Sequence, residues 1–238
     1  MSETPSSSST PVTTDENGGT TRRSVLRAAA WTTPVIALAT AAPAQAASRC
    51  VIKTNYNALR TGTKPTSIPF PGTGVTATLS YVGYGGFTGS STNGTVQDGP
   101  QGGNPQSLKW IKIENGTARS GSGVDVKIVF SEPVTKLSFT IFDLDWAPGN
   151  HRDAVIATTT PTSSTRASAL EGSGTLASPW RKATEGEIPS TSLNGNVQLF
   201  YTGPISEVTF RYYQDLKKLD ANHNQLIGLS DLAFEKCL

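Results

Sequence analysis

The stretch FDLDWAPGNHRD, residues 142–153, carries the densest group of reactive side chains in the chain. It places three aspartates, a histidine, an arginine and a tryptophan within twelve residues. The carboxylates of Asp143, Asp145 and Asp153 are hard oxygen ligands, which calcium prefers, and loop carbonyls can complete its coordination shell. His151 stands alone among these oxygen donors, which argues against a soft metal. The stretch therefore predicts a calcium site with Asp143, Asp145 and Asp153 as metal ligands.

The alternative interpretation is that these carboxylates lie at the rim of the fold, where they pair with arginine or with water. Alternation along TKLSFTIFDLD places Asp143 and Asp145 on the same face as the apolar residues before them. An unpaired carboxylate is costly to bury, so each needs a cation, an arginine or solvent. Arg119 and Arg152 are the arginines that can pair with them. The sequence leaves both interpretations open.

Catalytic chemistry has little support in the sequence. The chain has two histidines and contains neither a Gly-x-Ser-x-Gly elbow nor a His-Glu-x-x-His motif. Asp143 and Asp145 could act as the carboxylate pair of a glycoside hydrolase. Trp146, His151 and Arg119 instead fit a ligand-binding surface. We expect a non-catalytic module that binds an extracellular glycan or protein, with a carbohydrate-active hydrolase as the alternative.

The candidate site residues must be positioned by the elements around them, and the sequence indicates that these are short strands of alternating apolar and polar residues. Apolar and polar residues alternate in VTATLSYV, VDVKIVF and SEVTFRYY, and turn residues recur between such segments. Helical periodicity is nearly absent. The pattern predicts an all-β fold, an antiparallel β-sandwich of jelly-roll type with about eight or nine strands.

A hairpin is predicted next to the aspartates. The tetrapeptide SEPV, residues 131–134, resembles a turn between VDVKIVF and TKLSFTIFDLD. Matching the apolar faces of the two segments places Phe139 opposite Val126. We therefore expect the loop NGTARSGSG to meet the stretch 142–153 at one end of the sandwich.

Two cysteines, Cys50 and Cys237, lie near the two ends of the predicted domain. In an oxidising compartment a disulfide is the default for such a pair. The bridge predicts that the first and last strands are neighbours and that the termini of the domain are adjacent.

The segment TRRSVLR, residues 21–27, precedes a mildly apolar stretch that ends in AQA. It resembles the twin-arginine export signal, with Arg22 and Arg23 as the paired arginines and Val25 in place of phenylalanine. The resemblance implies a bacterial protein that the twin-arginine translocase exports already folded, to an extracellular or cell-wall location.

The export signal divides the chain into two parts. Residues 1–20 are poor in large apolar side chains, which predicts disorder. Cleavage after Ala46 would remove residues 1–46 and leave 47–238 as a single secreted β-sandwich domain. The apolar stretch is shorter than the roughly 20 residues of a membrane span, so stable membrane insertion is not expected. A net charge of +2 gives no reason to expect nucleic acid as a partner.

The run FSEPVTKLSFTIFDLD, residues 130–145, is similar to a pattern in β-sandwich domains of bacterial secreted and surface proteins, a largely uncharacterised family. The ending IGLSDLAFEKC resembles their last strand. The resemblance implies a role in binding or adhesion.

Overall fold

The computed structural model describes residues 50–104, 107–115, 120–215 and 225–237. These residues form antiparallel strands and one short 3₁₀ helix, Tyr56–Ala58, so the predicted all-β class is confirmed. In chain order the strands are β1 (Val51–Lys53), β2 (Ile68–Pro69), β3 (Thr76–Tyr84), β4 (Val96–Gln97), β5 (Trp110–Asn115), β6 (Gly123–Phe142), β7 (Trp146–Ala147), β8 (His151–Ala157), β9 (Ser163–Arg166), β10 (Leu170–Glu171), β11 (Trp180–Lys182), β12 (Val197–Tyr201), β13 (Ile205–Gln214), β14 (Gln225–Leu229) and β15 (Ala233–Glu235).

The strands form one antiparallel sheet that curls into a half-barrel. The described residues contain fifteen strands, so the predicted eight or nine was too low. Seven of the fifteen have only two or three residues, and such segments are too short to show an alternating pattern in the sequence.

Strand β6 connects the two parts of this sheet. Its first half pairs with β3 and β13, and its second half pairs with β12, β14 and β15. The predicted hairpin is therefore wrong, because residues 131–134 lie inside one continuous strand. Phe139 pairs with Leu199, and Val126 pairs with Phe210.

A bulge explains how β6 passes from one part of the sheet to the other. Its buried apolar residues are even-numbered as far as Val134 and odd-numbered from Leu137 to Ile141. Phe142, the last residue of the strand, is buried as well. Lys136 lies between them with φ 52°, an uncommon conformation for a residue other than glycine. An extra residue at a bulge shifts the side-chain alternation by one position. Both halves of β6 can therefore contribute to one continuous apolar core.

The ends of the described domain are neighbours. Strand β1 pairs antiparallel with β15, which places Ile52 opposite Phe234. Cys50 and Cys237 form a disulfide beside this pair, and their Cα atoms are 4.7 Å apart. The predicted disulfide is thus confirmed.

Candidate metal centre

The side chains of Asp145, His151 and Asp153 converge on the core side of the β7–β8 hairpin. The turn Pro148–Asn150 pairs Ala147 with His151, and Asp153 N donates a hydrogen bond to Asp145 O over 2.9 Å. His151 and Asp153 are two residues apart on β8 and therefore lie on the same face of the strand. The hairpin register brings Asp145 opposite Asp153.

These three residues form a compact set of metal-ligating groups. One donor atom from each lies within 4.8 Å of the other two. His151 Nε2 is 2.6 Å from Asp145 Oδ1. Asp145, His151 and Asp153 are only 8%, 2% and 0% exposed, so solvent contributes little to balancing their charge.

Outer hydrogen bonds fix the orientation of both carboxylates. Tyr212 OH donates to Asp153 Oδ1 over 2.6 Å, and Gln214 Nε2 donates to the same oxygen over 3.2 Å. Ile188 N lies 3.5 Å from Asp145 Oδ2, which leaves Asp145 Oδ1 directed at His151. Oriented ligands of this kind, held by a second layer of donors, are characteristic of metal sites.

Burial makes the accumulated negative charge unfavourable. Burial, and then the charge of Asp145, raise the pKa of Asp153 well above its usual value. The pKa of Tyr212 is also raised, first by burial and then by the charge of Asp153. Burial and the charge of Asp145 raise the pKa of Asp143 to about 7, against the opposing hydrogen bond from Gln101. A bound cation would remove this electrostatic cost.

The donor set differs from the predicted one by a single exchange. Asp143 lies outside the three-residue set, and His151 lies inside it. Asp143 has φ 76°, directly follows the end of β6, and accepts a hydrogen bond from Gln101. Its left-handed conformation breaks the alternation from which the predicted set was derived.

The arginine alternative finds no support at Arg152. Its guanidinium pairs with Glu171 at 2.9 Å and approaches Asp215 at 3.8 Å. Within the described ranges, the short side-chain contact of Asp145 is with His151, whose Nε2 is 2.6 Å from Asp145 Oδ1, and no arginine pairs with the centre. Arg119 lies outside the described residues, as do Arg22 and Arg23.

Trp146 lies beside the centre but on the other face of the hairpin. It is half-buried in β7, and the Arg152 guanidinium carbon is 4.1 Å from the centre of its ring. Its neighbours along the chain, Asp145 and Ala147, are buried. Trp146 therefore contributes a cation–π contact at the surface rather than a ligand to the centre.

Comparison with known proteins provides no family for this chain. No protein-family model matches it, and no curated protein matches it. No helix among the residues described is long and apolar enough to cross a membrane. The functional interpretation therefore depends on the geometry of the site.

Proposed function

We propose that this chain is a secreted, non-catalytic binding module for an extracellular glycan or protein, stabilised by a divalent cation at Asp145, His151 and Asp153. The observation that carries the proposal is the buried set of three donors within 4.8 Å. Two carboxylates enclosed together repel each other, and a cation between them compensates their charge more fully than neutral hydrogen-bond donors do. A sandwich of jelly-roll type is the fold we propose, since the two halves of β6 join different strands around one core.

The identity of the cation depends on two features of the donor set. Calcium forms bonds of about 2.3–2.6 Å to oxygen, so ligands up to about 5 Å apart can share one ion. The 4.8 Å limit of this set fits that range. Imidazole instead suits zinc and other transition ions, whose bonds of about 2.0–2.2 Å require a slightly tighter set. Calcium stays our first prediction for the extracellular medium, and zinc is the competitor that His151 introduces.

Thermal unfolding of the chelator-treated protein tests the cation site. We expect calcium or zinc at about 100 times its dissociation constant to add about 2.7 kcal/mol to the free energy of unfolding. For a domain of this size that corresponds to a rise in Tm of roughly 5–10 °C. Asp145→Asn should abolish the rise. Asp143→Asn is the matched control, because its carboxylate lies outside the donor set, and it should retain the rise. A Tm unaffected by calcium, zinc and chelator would contradict the proposal.

Two assays on one sample of the mature protein distinguish a binding function from a hydrolytic one. A glycan array reports binding, and release of reducing sugars reports turnover. Asp145 is 8% exposed and contacts His151, which disfavours a direct role on a large substrate. We expect binding without turnover. Turnover that Asp143→Asn abolishes would favour the hydrolase alternative instead.

Export is tested in the full chain. We propose secretion by the twin-arginine translocase, followed by cleavage after Ala46. Replacing both Arg22 and Arg23 by lysine is expected to abolish secretion, measured as protein in the culture medium, because the arginine pair is the recognised element of the signal. Replacing Arg27 by lysine is the matched control and should leave secretion intact. Unchanged secretion of the double variant would contradict this route.

A further inference from the structure

A cleft lies on the outer face of β8 and β13, on the side of these strands opposite the candidate metal centre. Arg211 and Tyr213 alternate along β13 with the buried Tyr212 and Gln214, so they point outward. Two adjoining cavities of about 120 and 380 Å³ share three lining residues. We define the Tyr84 cleft by the residues that form its centre: Tyr84, Ile156, Leu176, Arg211 and Tyr213.

The aromatic centre of the cleft is held in place before any ligand arrives. The Arg211 guanidinium carbon is 3.3 Å from the centre of the Tyr84 ring. The same guanidinium donates two hydrogen bonds to Asp125, of 2.6 and 2.9 Å. Because the planar Arg211 guanidinium is held by Asp125 and stacks on the Tyr84 ring, the side chains of Arg211 and Tyr84 have little conformational freedom. Binding on Tyr84 therefore costs little additional ordering.

The cleft combines exposed apolar surface with hydroxyl groups. Tyr84 is 40% exposed, and Leu176, in the loop between β10 and β11, is 76% exposed. Thr158, Thr160 and Thr175 line the larger cavity, whose volume of 380 Å³ falls within the range of about 300–1,000 Å³ of small-molecule sites. Rings and methyl groups at the centre with hydroxyls around them match a sugar, which has apolar C–H faces and a hydroxyl rim.

Among the described residues, the charged arginines of this outer face are already balanced within the protein. Its arginines pair with carboxylates as follows: Arg211 with Asp125, Arg181 with Glu171 and Asp215, and Arg152 with Glu171 and Asp215. A face whose guanidinium groups are all paired has little attraction for a polyanion. The matching ligand is a neutral one.

We propose that the Tyr84 cleft is the subsite that binds a neutral glycan segment, with sugar rings contacting Tyr84 and Leu176. This inference rests on the proposed binding function and names its ligand class. A peptide would fit the apolar centre less well, because its backbone needs paired donors and acceptors, whereas the wall of the larger cavity offers separate hydroxyls.

Retention on insoluble cellulose, xylan and chitin tests the cleft, with immobilised heparin as the charged comparison. We expect the mature protein to bind at least one neutral polysaccharide better than heparin. Tyr84→Ala and Leu176→Ser should each weaken that binding about tenfold or more, as removal of a central contact does. Leu193→Ser is the matched control: Leu193 is 66% exposed and lies in a separate groove with Gln198. Leu193→Ser should bind as the wild type does.

Each contrary result has a distinct meaning. Binding that survives Tyr84→Ala and Leu176→Ser but falls in Leu193→Ser or Gln198→Ala would overturn the cleft and leave the proposed binding function intact. Preference for heparin would overturn the neutral class of ligand. A wild-type protein that binds none of the polysaccharides but binds a protein on an array would overturn this inference alone. Binding to nothing on either surface would overturn both proposals.

Discussion

Replacing Cys50 and Cys237 together by alanine is expected to lower the free energy of unfolding by about 5 kcal/mol. The bridge joins residues separated by 187 positions, and the chain-entropy cost of closing a loop grows with its length. Loss of the bridge leaves the native contacts of β1 with β15 in place, because that pair is also held by its strand register. The double variant should therefore fold to the same structure with much lower stability.

Urea unfolding of the variant and the wild type measures this difference. Wild type treated with a reductant should unfold at the midpoint of the double variant, because both lack the same covalent link. Val51→Ala is a control for changes at this edge, since Val51 is 52% exposed in β1, and it should behave as the wild type does. Intact mass before and after reduction and alkylation identifies the bridge. Two thiols that alkylate without reduction, or an unchanged urea midpoint, would contradict the prediction.

The all-β class and the disulfide could be predicted because each depends on a signal that is local or nearly unique. Alternation over six or more residues indicates a strand regardless of its partner, and two cysteines allow one pairing. The pairing of β6 could not be predicted in the same way. SEPV resembles a turn locally, but it lies inside one continuous strand. The buried side chains change from even to odd positions between Val134 and Leu137, and this shift marks a bulge rather than a turn.

The candidate site was only partly predictable for a related reason. Asp145 and Asp153 belong to a hairpin centred on Gly149, and its symmetry also pairs His151 with Ala147. A hairpin predicted around the Pro-Gly-Asn turn would have placed His151 on the same face as Asp145 and Asp153, and so among the metal ligands. The outer donors, Tyr212 and Gln214, come from a strand 59 and 61 residues beyond Asp153, and no local pattern links them to it.

Asp153→Ala is expected to lower the free energy of unfolding by about 3 kcal/mol in the presence of chelator. The substitution removes the acceptor of Tyr212 OH and of Asp145 N, whereas Gln214 Nε2 keeps a second acceptor in Tyr212 OH at 3.3 Å. Each buried unsatisfied group costs about 1–3 kcal/mol. Asp153→Asn keeps an oxygen that can accept the bonds from Tyr212 and Gln214, and it gives up only the long bond of 3.3 Å from Asp145 N. It also removes a charge that burial and Asp145 disfavour. The asparagine variant should therefore be nearly as stable as the chelated wild type, or more stable.

When the cation that stabilises the wild type is added, we expect the wild type to become more stable than Asp153→Asn, because the variant lacks the anionic ligand. Urea unfolding of the wild type, both Asp153 variants and Asp231→Asn, with chelator and with cation, measures the full set. Asp231 is the control: it accepts hydrogen bonds from Thr54 Oγ1 at 2.8 Å and Tyr56 N at 3.0 Å, outside the donor set, so its variant should respond to the cation as the wild type does. If Asp153→Asn were as destabilising as Asp153→Ala in chelator, the charge itself would be stabilising the metal-free protein. Asp153 and Asp145 would then be balanced by their contacts within the protein, and the cation would be unnecessary.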